Sequence, residues 1–192
     1  MLTVEADVGS VERRLAAGAV SCPGCEGRLA PWGWARPRVL RGPEGSRVQV
    51  RPRRACCLRC QATHVLLPVV ALARRADLVE VIGAALTAKA AGAGCRAIAA
   101  VLGRPVDTVR AWLRRFAARA QAVRVVFTVL LVDTGPDPVA PAATGSAVAD
   151  AVAAIVGAAV AVAVRWPLVG AVSPWLAACA ASGGRLLSPS WP

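Results

Sequence analysis

Residues 95–115 read CRAIAAVLGRPVDTVRAWLRR, and this stretch decides the fold. Ile98, Leu102, Val109 and Trp112 are spaced as the apolar positions that pack two crossing helices. Ala99 is small where such helices approach closely. Gly103 stands where the turn between them asks for a positive φ. Pro105 sits beside the start of the next helix, which Asp107 or Thr108 is expected to cap. Arg104 departs from the pattern, because a hydrophobic residue usually occupies that turn position. Val106 is the residue expected to compensate.

Upstream, Leu78, Val81, Ile82, Ala85 and Leu86 follow the i, i+3, i+4 spacing of a buried helix face, starting from Ala76. Gly92 and Gly94 break that helix. A second is predicted near Arg96–Leu102, and a third from Val106 to about Val129. Together they make a three-helix helix-turn-helix unit over residues 76–132. The third helix carries Arg110, Arg114 and Arg115, with Arg119 and Arg124 further on. In a DNA-binding unit of this kind the first turns of that helix enter the major groove. Val106, Asp107, Thr108, Arg110 and Ala111 are then nearest the bases, and Arg114 and Arg115 nearest the phosphates. The competing reading is an ordinary helical hairpin with an arginine-rich solvent face.

Before this unit lie two C-x-x-C pairs, Cys22-Pro-Gly-Cys25 and Cys57-Leu-Arg-Cys60. Two such turns supply the four soft ligands of a tetrahedral structural zinc site. Strands are expected over Leu29–Trp34, Arg47–Arg53 and Thr63–Leu67, with Gly42-Pro43-Glu44-Gly45 as a turn between the first two. A segment this short and polar needs a metal to complete its folding energy. The predicted unit is therefore a four-cysteine zinc ribbon over residues 21–75, preceded by an N-terminal segment, 1–20, with a short helix over Val11–Ala17. Cys56 precedes Cys57 directly. Taking it as a ligand leaves the less regular C-x-x-x-C, so Cys57 is assigned. His64 is read as a packing or hydrogen-bonding residue rather than a replacement ligand. Four sulfur ligands leave no open position for catalysis by the metal.

The 192 residues carry a net charge of +12, unevenly placed. Residues 1–77 hold 13 basic against 6 acidic side chains, residues 78–132 hold 8 against 2, and residues 133–192 hold 2 against 3. The first two thirds are thus suited to a polyanion and the last third is not. Residues 133–146 are rich in Pro, Gly, Thr and Asp and read as a linker. The tail, 147–192, predicts two Ala-rich helices, about 147–165 and 173–181, then an irregular end. Its uncharged stretch Ala151–Val164 is short for a bilayer span, which needs ~20 residues. No membrane association is expected, and residues 1–20, with Glu5, Asp7 and Glu12, show no secretory signal. Asp133, Asp137 and Asp150 lie in or beside the linker and are not assigned catalysis. With one His, no nucleophile–base pair and no glycine-rich phosphate loop, no enzyme is expected.

The fold class expected is mainly α with a small β ribbon. The motifs Cys22-Pro-Gly-Cys25, Trp32-Gly-Trp-Ala-Arg-Pro, Arg53-Arg-Ala-Cys-Cys57-Leu-Arg-Cys60, Thr63-His-Val-Leu-Leu-Pro68 and the stretch from Ile98 to Arg115 resemble those of small actinobacterial zinc-ribbon plus helix-turn-helix proteins. These are similar to the N-terminal DNA-recognition modules of insertion-sequence transposases. The abundance of Ala and Arg (22 of 23 basic residues, Lys89 excepted) fits a GC-rich bacterial genome. The resemblance implies binding to element-end or operator DNA in the cytoplasm, associated with the nucleoid. It implies no chemistry. Double-stranded DNA is the first partner expected, and the ribbon is expected to brace the reader or add phosphate contacts. The alternative is an adaptor whose ribbon and tail dock a transposase or integrase subunit, or a second copy of the chain.

Overall fold

The computed structural model of the chain describes residues 2–167, 170 and 172–192. The architecture is mainly α, with a small sheet in the N-terminal region and a helical C-terminus.

The elements of the first third are β1 (Leu2–Val4), α1 (Val8–Ala16), β2 (Leu29–Trp34), β3 (Arg38–Arg41), β4 (Arg47–Val50), β5 (Arg53–Cys57) and β6 (Thr63–Pro68). Four strands form one sheet in the order β1-β6-β5-β2, with β1 parallel to β6 and the other pairs antiparallel. β3 and β4 form a separate hairpin. The single strand expected over Arg47–Arg53 is two strands. Pro52 has no N–H to give to a ladder, so β4 pairs back on β3 while β5 enters the sheet. The turn at Gly42–Gly45 accordingly closes β3 on β4 instead of leading on from β2. β1 and β3 are too short to show a periodicity and are held by their partners.

Helix α1 begins three residues before the expected Val11. The Asp7 carboxylate accepts the Ser10 N–H at 2.7 Å and caps it there. Its buried residues Val11 and Leu15 pack with Val4, Leu29, Ala55 and Leu66 on one side of the sheet, a core that also contains Cys22 and Cys57.

The helices that follow are α2 (Val79–Ala90), α3 (Cys95–Leu102), α4 (Val106–Ala117), α5 (Ala120–Thr134), α6 (Ala147–Arg165) and α7 (Pro174–Ala181). The one helix expected from Val106 to Val129 is α4 and α5, separated at Ala118–Arg119, where Arg119 has φ −124° and ψ 3°. The buried positions 109, 112, 116, 120, 123, 127 and 131 run through the break in steps of three and four. No gap in the apolar pattern marks it. The turn lets α5 lie along α6, where Val123, Phe127 and Leu131 join Ala151, Ile155 and Ala158 in one core with the helix-turn-helix.

Alanines on α6 bring its neighbours close. α2 and α7 meet as tightly: a side chain on Gly83 would start 2.1 Å from the Trp175 ring, so only hydrogen fits there. The irregular end, Ser182–Pro192, still buries Leu186, Leu187 and Trp191, and Trp191 stands edge-on to Phe127 at 6.3 Å. α6 spans the 147–165 expected, and its 19 residues exceed the 14-residue uncharged stretch within it. By length and composition it could cross a bilayer, yet Ala151, Ala154, Ile155, Ala158 and Ala161 are buried against the other helices, as in a core helix.

Candidate metal centre and nucleic-acid interface

Each C-x-x-C pair closes a turn of the same form. Glu26 N–H donates to the Cys22 carbonyl at 2.8 Å, and Gln61 N–H donates to the Cys57 carbonyl at 3.0 Å. The residue after each second cysteine is left-handed, Glu26 at φ 61° and Gln61 at φ 60°. The sheet brings the two turns together, because β2 follows the first and β5 leads into the second, with Leu29 opposite Cys57. Cys22 Sγ lies 3.8 Å from Cys60 Sγ, and Cys25 Sγ lies 3.4 Å from Cys57 Sγ. All four sulfurs are within 4.8 Å of one another. A tetrahedral ion with Zn–S bonds of ~2.3 Å needs sulfurs ~3.8 Å apart, so the donor set fits such an ion.

The local electrostatics favour a thiolate. The backbone N–H groups of Cys60 and Arg59 point at Cys57 Sγ from 3.4 and 3.3 Å. Against the opposing effect of burial, they lower the Cys57 thiol to about 6. The Ala62 N–H pulls the Cys60 thiol down, but protons shared with Cys25 and Cys57 outweigh it and push it up to about 12. Four clustered thiols do not all ionise without a cation between them. Cys56 turns away from the group, its Sγ donating to the Gln61 carbonyl at 3.5 Å. His64 Nε2 lies 3.4 Å from Cys22 Sγ, beside the sulfur cluster.

The second site is the α3–α4 corner. Gly103 adopts φ 60° and ψ 41°, which ends α3 in the left-handed region and aims the chain into α4. Ile98, Ala99, Val109, Trp112 and Phe116 are buried. Pro105 takes the N-cap position, and neither Asp107 nor Thr108 caps the helix. Asp107 instead lies in the first turn, where its carboxylate pairs with Arg110. Asp107, Arg110, Arg114 and Arg115 are exposed. Val106, Thr108 and Ala111 are half-buried, and Val106 packs against the helical core.

Arg104 does not face solvent, and Val106 does not have to stand in for it. Its side chain is 6 % exposed and reaches Asp77, itself 2 % exposed, at 2.6 Å. It also donates to the Gly42 carbonyl at 2.6 Å. Arg41 closes on the other Asp77 oxygen at 2.8 Å. Asp77 thus joins the β3–β4 hairpin to the helix-turn-helix corner. It is absent from the residues singled out by sequence. An arginine at an interior turn position is the signal that asks for a buried acid, and Asp77, the residue before the apolar run of α2, answers it.

Residues 76–124 match the family model of a homeodomain-like domain, which supports DNA binding by a non-catalytic fold. That region contains α2, α3 and α4 and the start of α5. Neither the curated proteins nor the solved structures contain a match to the chain.

Proposed function

We propose that the chain is a sequence-specific, non-catalytic DNA-binding protein that serves a bacterial mobile element as an accessory factor or transcriptional regulator. One observation carries the reading. Within the residues that match a homeodomain-like domain, α4 follows the left-handed Gly103 turn and presents Arg110, Arg114 and Arg115 to solvent. α4 lies in the major groove, with Val106, Asp107, Thr108, Arg110 and Ala111 nearest the bases and Arg114 and Arg115 at phosphates. Arg110 leaves Asp107 to reach a base edge.

Cys22, Cys25, Cys57 and Cys60 would hold one structural Zn²⁺, which supplies folding energy to the small sheet and no chemistry. The functional division is an N-terminal segment (1–20), a zinc ribbon (21–75), a reader (76–132), a linker (133–146) and a helical tail (147–192). The cytoplasm, at the nucleoid, is the compartment this reading requires.

Binding to duplex DNA over a salt series tests it. The affinity falls linearly on logarithmic axes as counterions are released, and Arg115→Ala weakens all sequences alike and lowers the slope by about one. A chain that binds no DNA at any salt favours the second reading, an adaptor for a transposase or integrase subunit or a second copy. Its support is the row of exposed valines on α6, Val156, Val160 and Val164.

A further inference from the structure

Among the described residues, seven ion pairs use arginines, and each has a defined acid. Arg53, for example, reaches Glu12 at 2.6 Å while its guanidinium lies 4.7 Å over Trp34. Arg36, Arg38 and Arg74 are in none of these pairs. They frame a cavity of about 450 Å³ with Pro52, Val65 and Leu67 in its wall and no carboxylate. That volume is in the range of small-ligand pockets, ~300–1,000 Å³.

Three arginines thus line one cavity with no acid in its wall. Arg38 is half-buried, and its Nε has no partner within the chain. Arg74 holds φ 58°, a left-handed conformation that residues other than glycine rarely adopt. The next residue, Arg75, also has a buried Nε without a partner. Burial lowers its pKa, and the nearby charges of Arg115 and Arg74 lower it further. The turn at Arg74–Arg75 therefore lies between the cavity in the β unit and the C-terminal end of α4. Arg115 and Arg119 line a further surface recess there.

We infer that the cavity framed by Arg36, Arg38 and Arg74 binds a phosphodiester group of DNA, so that the β unit grips the backbone of the duplex that α4 reads. Guanidinium groups match phosphate oxygens through paired N–H donors, and the apolar wall suits the face of a deoxyribose. The inference rests on the DNA-binding reading and adds a second contact surface to it. The shared chemistry, a phosphate among three arginines, could also come from a small phosphorylated ligand, and the test separates the two.

The experiment compares the full chain with the R36Q/R74Q double variant and with R38Q, using a labelled duplex between about 50 and 200 mM salt. The expected result is a loss of about tenfold for the double variant on every sequence, with a slope lower by about one and an unchanged melt. R38Q loses affinity in the same direction. Arg115→Ala, read in parallel, reports on α4 alone. If the parent binds DNA and Arg115→Ala weakens it while R36Q/R74Q binds as the parent does at every salt, the DNA reading stands and this pocket is no contact. A parent that binds no DNA overturns both. Calorimetry with inorganic phosphate completes the test. Saturable phosphate binding that R36Q/R74Q abolishes, with DNA affinity unchanged, assigns the pocket to a small ligand and overturns the proposal.

Discussion

Asp77 and Arg104 form an ion pair of 2.6 Å in which neither side chain is more than 6 % exposed. Arg104 comes from the turn between α3 and α4, and Asp77 from the segment that leads into α2. Through Arg41 and the Gly42 carbonyl the same pair reaches the β3–β4 hairpin. The orientation of α4 relative to the β unit is thus fixed by charge as well as by packing.

Removing the acid leaves two arginines without their counter-charge, one of them buried. Asp77→Ala is expected to destabilise the chain by about 3 kcal/mol or more in urea unfolding, because a buried charge is left uncompensated. A loss below about 1 kcal/mol would show that the pair is not structurally important. Arg104→Met, which fills the same space without charge, should cost less than Arg104→Ala.

How much of this was legible in the sequence depends on the range of each interaction. The two C-x-x-C turns and the Gly103 corner are local patterns, and the cysteine cluster and the left-handed glycine are found at those positions. The split of α4 from α5 left no trace, because the apolar steps from Val109 to Leu131 continue through it. The strand break at Pro52 was readable from proline's missing N–H, and an unbroken Arg47–Arg53 strand passed over it. Asp77 and the buried Leu186, Leu187 and Trp191 depend on contacts with residues far away in the chain, which periodicity does not report.

The cysteine cluster gives a metal prediction. Purified protein is expected to contain about one zinc per chain. Cys57→Ser loses the metal and unfolds residues 21–68, whereas Cys56→Ser retains it, since Cys56 Sγ turns to the Gln61 carbonyl. Full zinc retention in Cys57→Ser would refute this ligand set.

Asp150 gives a pH prediction. The Thr144 N–H and hydroxyl, each 2.7 Å away, hold its carboxyl below the usual range, with a further contribution from Arg124. A depressed folded pKa stabilises the native state above the unfolded value of ~3.9, and the stabilisation is lost as pH falls through the lower, folded value. The parent should therefore lose stability more steeply than Asp150→Asn as pH drops below about 4. Parallel curves for the two proteins would remove Asp150 from the account of how the 135–146 segment is tied to α6.

The central claim is that α4 reads DNA through Arg110, and one measurement tests it most directly. The affinity of the parent and of Arg110→Ala is measured on a duplex selected by the parent and on a random duplex, with melts of both proteins. The account predicts that Arg110→Ala costs about 1–3 kcal/mol on the selected site and little on the random one, with an unchanged melt. Trp112→Ala, by contrast, should lower the melt, because Trp112 is buried between α3 and α4. An Arg110→Ala protein that folds as the parent does and keeps its full preference for the selected site would contradict the claim.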